Sequence, residues 1–282
     1  MGERGTSRAP AALRGAQRGG EALARRPEFG WLARAGLLAR GVVYGIIGIL
    51  AVKLATGSGG RITNQQGALQ TIARQSFGEV LLIAVAAGLG GYAAWRLIRA
   101  AIGHGRQEAD SAFDRVAALA SGLVYGALCV TAVKILSGAS AGGGSSAPKK
   151  TTAGVLGWPG GPVIVGAVGV VLIGVALYQA YEGLARKFLE KAETARMSRR
   201  VKRAYATVGV FGHLARMVVF ALTGYGLLMA AIDYEPQKAI GLDGALNELA
   251  ENSYGPILLG IVAVGLIGFA LYSIADARYR KI

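Results

Sequence analysis

Six windows of the chain are almost empty of charge: 41–54, 80–94, 122–133, 162–180, 217–232 and 256–274. Apolar residues run through them continuously instead of alternating, so each reads as a helix buried on all sides. With its flanks, each reaches the ~20 residues a helix needs to cross a hydrocarbon core ~30 Å thick. The predicted class is all-α integral membrane, with six transmembrane helices. The windows come in pairs. Within the first and third pairs lies a short amphipathic pattern, such as 65–74 with Leu69, Ile72 and Ala73 on one side. That pattern predicts a helix lying on the outer membrane surface.

The pairs are copies of one unit. Arg40-Gly41-Val42-Val43-Tyr44-Gly45 returns as Ser121-Gly122-Leu123-Val124-Tyr125-Gly126 and as Arg216-Met217-Val218-Val219-Phe220-Ala221. Thirteen residues past the first position stand Lys53, Lys134 and Met229. The second span of each pair closes alike, on Gly91-Tyr92-Ala93-Ala94-Trp95, Gly174-Val175-Ala176-Leu177-Tyr178 and Gly268-Phe269-Ala270-Leu271-Tyr272. The loop pattern from Gly67 to Gly78 aligns without gaps to that from Gly244 to Gly255. Two spans per copy keep all copies in one orientation, so three parallel two-helix repeats in a pseudo-threefold arrangement are expected. The boundaries are 31–105, 112–190 and 204–282, behind a basic segment, 1–30, whose composition predicts disorder.

The middle copy departs from the others. Its loop carries the Gly/Ser tract 138–146 and then Trp158-Pro159-Gly160-Gly161, so a flexible loop without the outer helix is expected there. Between the second and third copies, 186–208 alternates Lys and Arg with Phe188, Leu189 and Met197, which predicts a cationic surface helix.

Composition agrees with membrane residence. Hydrophobic residues are 53% of the chain and charged ones 17%, with 44 glycines that suit close helix packing. Gly41, Gly45, Gly91, Gly122, Gly126, Gly174 and Gly268 are the candidate packing positions. The net charge of +15 would suggest nucleic acid in a soluble protein, but its distribution says otherwise. One set of helix ends carries 24 Lys and Arg and the other carries 5, with Lys53 and Lys134 left near the span ends. The positive-inside rule then puts both termini in the cytoplasm, in the plasma membrane, with anionic lipid attracted to the cytosolic face. Membrane-protein partners are a further expectation, and nucleic acid is not.

The stretches Ala39-Arg40-Gly41-Val42-Val43-Tyr44, Gln65-Gln66-Gly67-Ala68-Leu69, Phe77-Gly78 and Gly91-Tyr92-Ala93-Ala94-Trp95-Arg96 resemble a bacterial membrane family known as domain of unknown function 1206. The resemblance covers about 33–105 strongly, 204–282 well and 112–190 loosely. It implies three two-helix repeats in the cytoplasmic membrane and brings no catalytic residues.

No P-loop, HExxH, nucleophile elbow or Rossmann fingerprint is present, and one cysteine, Cys129, permits no metal or disulfide framework. No catalytic, cofactor or metal position is assigned. His104 and His213 read as structural. The one charged constellation lies at the cytosolic helix ends, where Arg40, Arg99, Glu182, Arg216 and Asp276 occupy related depths. They are the candidates for an ion-pair ring, for instance Arg40 with Asp276 and Arg99 with Glu182, because charges near lipid need partners or water. The favoured reading is a non-enzymatic accessory or scaffolding protein. The alternative is a small channel or carrier along the axis of the hairpins.

Overall fold

A computed structural model describes residues 27–102, 112–139 and 146–281; the first 26 residues of the basic segment lie outside them. Among the described residues six helices are long and apolar enough to cross a membrane. In chain order the helices are α1 (Pro27–Ala55), α2 (Gln65–Ala73), α3 (Gly78–Ile102), α4 (Ala112–Leu136), α5 (Ala147–Leu156), α6 (Gly161–Leu184), α7 (Arg199–Ile232), α8 (Leu242–Glu251) and α9 (Gly255–Tyr279). Local chemistry starts several of them. Prolines stand in the first turn of α5, α6 and α9, where a missing N–H costs nothing. The Asn64 side chain caps α2 and that of Ser198 caps α7.

The six spans pack in the series α4, α3, α1, α9, α7, α6. Three of its seams join different repeats: α3 with α4, α6 with α7, and α9 with α1. These seams use equivalent residues. A Cβ on Gly41 would meet the Ala270 oxygen at 3.0 Å, and one on Gly122 would meet the Leu97 nitrogen at 3.2 Å. A Cβ on Gly48 would meet Ile267 and the Ala263 oxygen, and one on Gly224 the corresponding Ile173 and Gly169 oxygen. Backbone approach this close is what small residues permit between helices in lipid, where no hydrophobic force drives association.

The hairpin contacts are different. In repeats one and three, Gly36 faces Tyr92 and Gly212 faces Phe269, while Gly88 meets Ala35 and Ala39 just as Gly265 meets Phe211 and Ala215. In repeat two the two glycine positions are Ala117 and Val171, and the positions of Ala35, Ala39 and Tyr92 are Val116, Ala120 and Val175. The glycine pair is gone, and α4 and α6 do not pack against each other. Val43 and Val85 are 2% and 5% exposed in repeat one, whereas their equivalents Val124 and Val168 are 58% and 47% exposed. The series therefore has pseudo-threefold order with one hairpin open. Gly174, in line with Gly91 and Gly268, meets nothing within 4 Å and lies at this opening. Of the other packing candidates, Gly91 closes on Leu32 and Gly268 on the Val208 oxygen, while Gly45 and Gly126 make ordinary contacts with Ala270 and Ala93.

Three expectations need correction. The loop of repeat two does carry a helix, α5. Its apolar content is low, but Thr152 and Leu156 are buried, and Tyr234 donates a hydrogen bond to the Leu156 oxygen at 2.7 Å. The loop helices of repeats one and three turn their apolar faces inward. Ala68, Leu69 and Ile72 of α2, like Ala245 and Leu246 of α8, are buried against the spans. The connection after α6 is not a surface helix. Two short 3-10 turns, Lys187–Leu189 and Thr194–Arg196, occupy it; Phe188 of the first and Met197 after the second are buried, and the basic run from Arg199 is already the first turn of α7.

Candidate functional site

Each inter-repeat seam carries one arginine at the same level. In the α9–α1 seam it is Arg40, whose Nε donates to Ser273 Oγ at 3.1 Å. In the α6–α7 seam it is Arg216, opposite Gln179, which occupies the position of Ser273. In the α3–α4 seam the arginine has changed sides: Ser121 stands for Arg40, and Arg96 stands for Ser273. Arg96 donates to the Tyr92 hydroxyl at 3.1 Å and lies over the Trp95 ring. Sequence comparison of the first spans alone reports a missing charge in repeat two; the charge is on the neighbouring helix.

The Arg40 seam is saturated. Asp276 is fully buried and its carboxylate collects three groups. Arg280 Nη1 lies at 2.7 Å, the Tyr205 hydroxyl donates at 2.9 Å, and Arg40 Nη2 lies at 3.9 Å. Burial works against the charge of Arg280, but the Asp276 carboxylate holds its pKa raised. The Arg40 guanidinium also covers the Phe269 ring at 4.9 Å. These contacts fix the Asp276 side chain between α9, α7 and α1.

The Arg216 seam is built differently. Glu182, the equivalent of Asp276, is taken by Lys191 at 2.6 Å and by the Tyr178 hydroxyl at 2.6 Å. Arg216 is left with the Gln179 amide, oriented so that its oxygen accepts from Arg216 Nε at 3.2 Å and Nη1 at 2.9 Å. The Gln179 nitrogen then donates to His213 Nδ1 at 3.1 Å, which assigns the ring proton to Nε2. Among the described residues Arg216 makes no ion pair. Its guanidinium instead lies among Phe269, Phe220 and Tyr44, at 4.5, 5.0 and 5.8 Å. Arg99, the remaining ring candidate, lies over the Trp95 ring at 4.7 Å.

Arg216 borders a cavity of about 140 Å³ between the spans, with Tyr44, Leu172, Phe220, Thr223 and Leu266 among its walls. Gln65 of α2 and Leu242 of α8 close it toward the loops. These two helices are tied together by Asn64 Nδ2, which donates to Asp243 Oδ2 at 3.3 Å. No lining residue comes from α3 or α4. Among the described residues no group of His, Cys, Asp and Glu is arranged to hold a metal ion. Cys129 donates to the Ala86 oxygen at 3.3 Å, a packing contact.

A family model described as Domain of Unknown Function (DUF1206) matches the chain three times, over residues 35–110, 116–186 and 211–280. The chain is also similar to the uncharacterised protein YxxB of Bacillus subtilis (strain 168), 32% identical over 256 residues, which covers 89% of this chain and 92% of that protein. No solved structure matches it.

Proposed function

We propose that this chain, which belongs to the Domain of Unknown Function (DUF1206) family, acts without catalysis, as an accessory or scaffolding protein of the plasma membrane. The observation that carries the reading is the way its chemistry is spent. Asp276 and Glu182, the buried carboxylates of the helix ends, hold helices and turns together. The seams are closed to backbone contact by glycine. What remains available is an apolar surface, an open hairpin and a basic face.

The carrier reading draws on the cavity beside Arg216. Against it, α2 and α8 cover the loop side of that cavity, and the span centres carry no Asp, Glu or His to couple an ion. Reconstitution separates the two. Liposomes holding the purified protein should pass chloride, phosphate and small neutral solutes no faster than empty ones. Flux that disappears in an R216Q variant of normal yield would replace the scaffold with a carrier.

Charge asymmetry supports an orientation with the termini in the cytosol and the loops outside. Alkaline phosphatase fused after Lys150 should be active, and the same enzyme fused after Arg200 inactive. The reverse pattern would invert the protein.

A further inference from the structure

We propose that the open hairpin is a lipid site: an anionic phospholipid enters between α4 and α6, with its head group on Arg216 and its chains in the cleft. The proposal rests on the non-catalytic reading above and names the partner that the open hairpin accepts.

Three independent observations converge on it. First, the opening is written into the sequence. Repeats one and three close their hairpins on Gly36 with Gly88 and on Gly212 with Gly265. Repeat two has Ala117 and Val171 there, and side chains at these places would block the close approach made in repeats one and three. Second, the exposed walls of the cleft are apolar throughout: Val116, Val124, Val168 and Val171 are 64%, 58%, 47% and 63% exposed. They suit hydrocarbon, and they carry no polar group that would order water. Third, the charge inside lacks its acid. Among the described residues Arg40 has Asp276, whereas Arg216 bonds the neutral Gln179 and Glu182 is paired with Lys191.

Depth and direction agree with a lipid of the leaflet on the termini side. Arg216 lies 16 residues below the end of α7 at Ile232, about 24 Å at 1.5 Å per residue, in a core of about 30 Å. A phosphate at that level meets a guanidinium that offers paired donors. Leu172 of α6, which lines the cavity, adjoins Val171, which is exposed at the opening, so one helix serves both.

The test is native mass spectrometry of the whole chain in mild detergent, titrated with phosphatidylglycerol or phosphatidylcholine. One phosphatidylglycerol should be retained per chain at least tenfold more tightly than phosphatidylcholine. R216Q should lose that tenfold preference and R216K should keep most of it, while R199Q with R200Q, on the basic face, should leave it unchanged. A V171W variant should block the cleft and lose both lipids, with the thermal midpoint of each variant checking the fold. Equal retention of both lipids, or a preference that follows Arg199 and Arg200, would overturn the site. So would a doubled mass with the cleft protected, which would put a second copy there. Anion flux through R216-dependent liposomes would instead overturn the non-catalytic scaffold and leave the lipid site standing.

Discussion

Introducing valine at Gly212 should unfold the bundle, while the same residue at the equivalent Ala117 should be almost silent. A Cβ on Gly212 would lie 2.6 Å from Phe269 Cα and 2.7 Å from its nitrogen. Those atoms are backbone, so relief requires α7 and α9 to separate. Overpacking a well-filled contact costs about 1–3 kcal/mol, and here two further methyl groups extend the clash, so the cost should reach or pass the upper end. Gly36→Val meets Tyr92 Cβ at 2.1 Å and should behave alike. Ala117 is exposed, and a larger side chain there meets no facing helix. Its replacement should stay within about 0.5 kcal/mol. Thermal unfolding in detergent, with the monodisperse fraction on gel filtration, reads all three. Equal losses at Gly212 and Ala117 would mean that the middle hairpin is closed.

This contrast was present in the sequence, beside a stronger signal that concealed it. Gly91, Gly174 and Gly268 coincide, and by themselves they promise three identical hairpins. Three residues earlier stand Gly88, Val171 and Gly265, and the valine, with Ala117 in the place of Gly36 and Gly212, shows that the promise fails. Motif matching weights identities, whereas closure depends on whether each of several adjacent positions lacks a Cβ. The spans and their repetition were legible because a hydrocarbon solvent demands long apolar helices with satisfied backbones. α5 was not legible: Ala147–Leu156 is too polar to signal a buried face, and its burial comes from α6 and Tyr234, which no local pattern records. The Arg40–Asp276 contact followed from depth alone. The separate fate of Arg216 depended on Lys191 folding back onto Glu182, a contact made by a turn whose geometry the charge pattern does not specify.

Removal of the Asp276 carboxylate should be the most damaging change of charge in the protein. Deleting one partner of a buried pair costs about 3–5 kcal/mol, because the other is left charged and dry. Here Asp276→Leu strands Arg280 and Arg40 together and leaves the Tyr205 hydroxyl without its acceptor. Arg40→Met should cost less, because Arg280 and Tyr205 still neutralise and bond the carboxylate. The ranking follows from geometry: Arg280 approaches to 2.7 Å and Arg40 only to 3.9 Å. Exchanging the charges, with Arg40→Asp and Asp276→Arg in one chain, should therefore fail to rescue. The new arginine would face Arg280 one turn away, and like charges so placed repel. Thermal midpoints of the two single variants and the exchange decide the matter. Recovery in the exchange would make Arg40 and Asp276 an isolated pair, whereas continued loss assigns the staple to a knot of four side chains that also anchors the chain's last turn to α7.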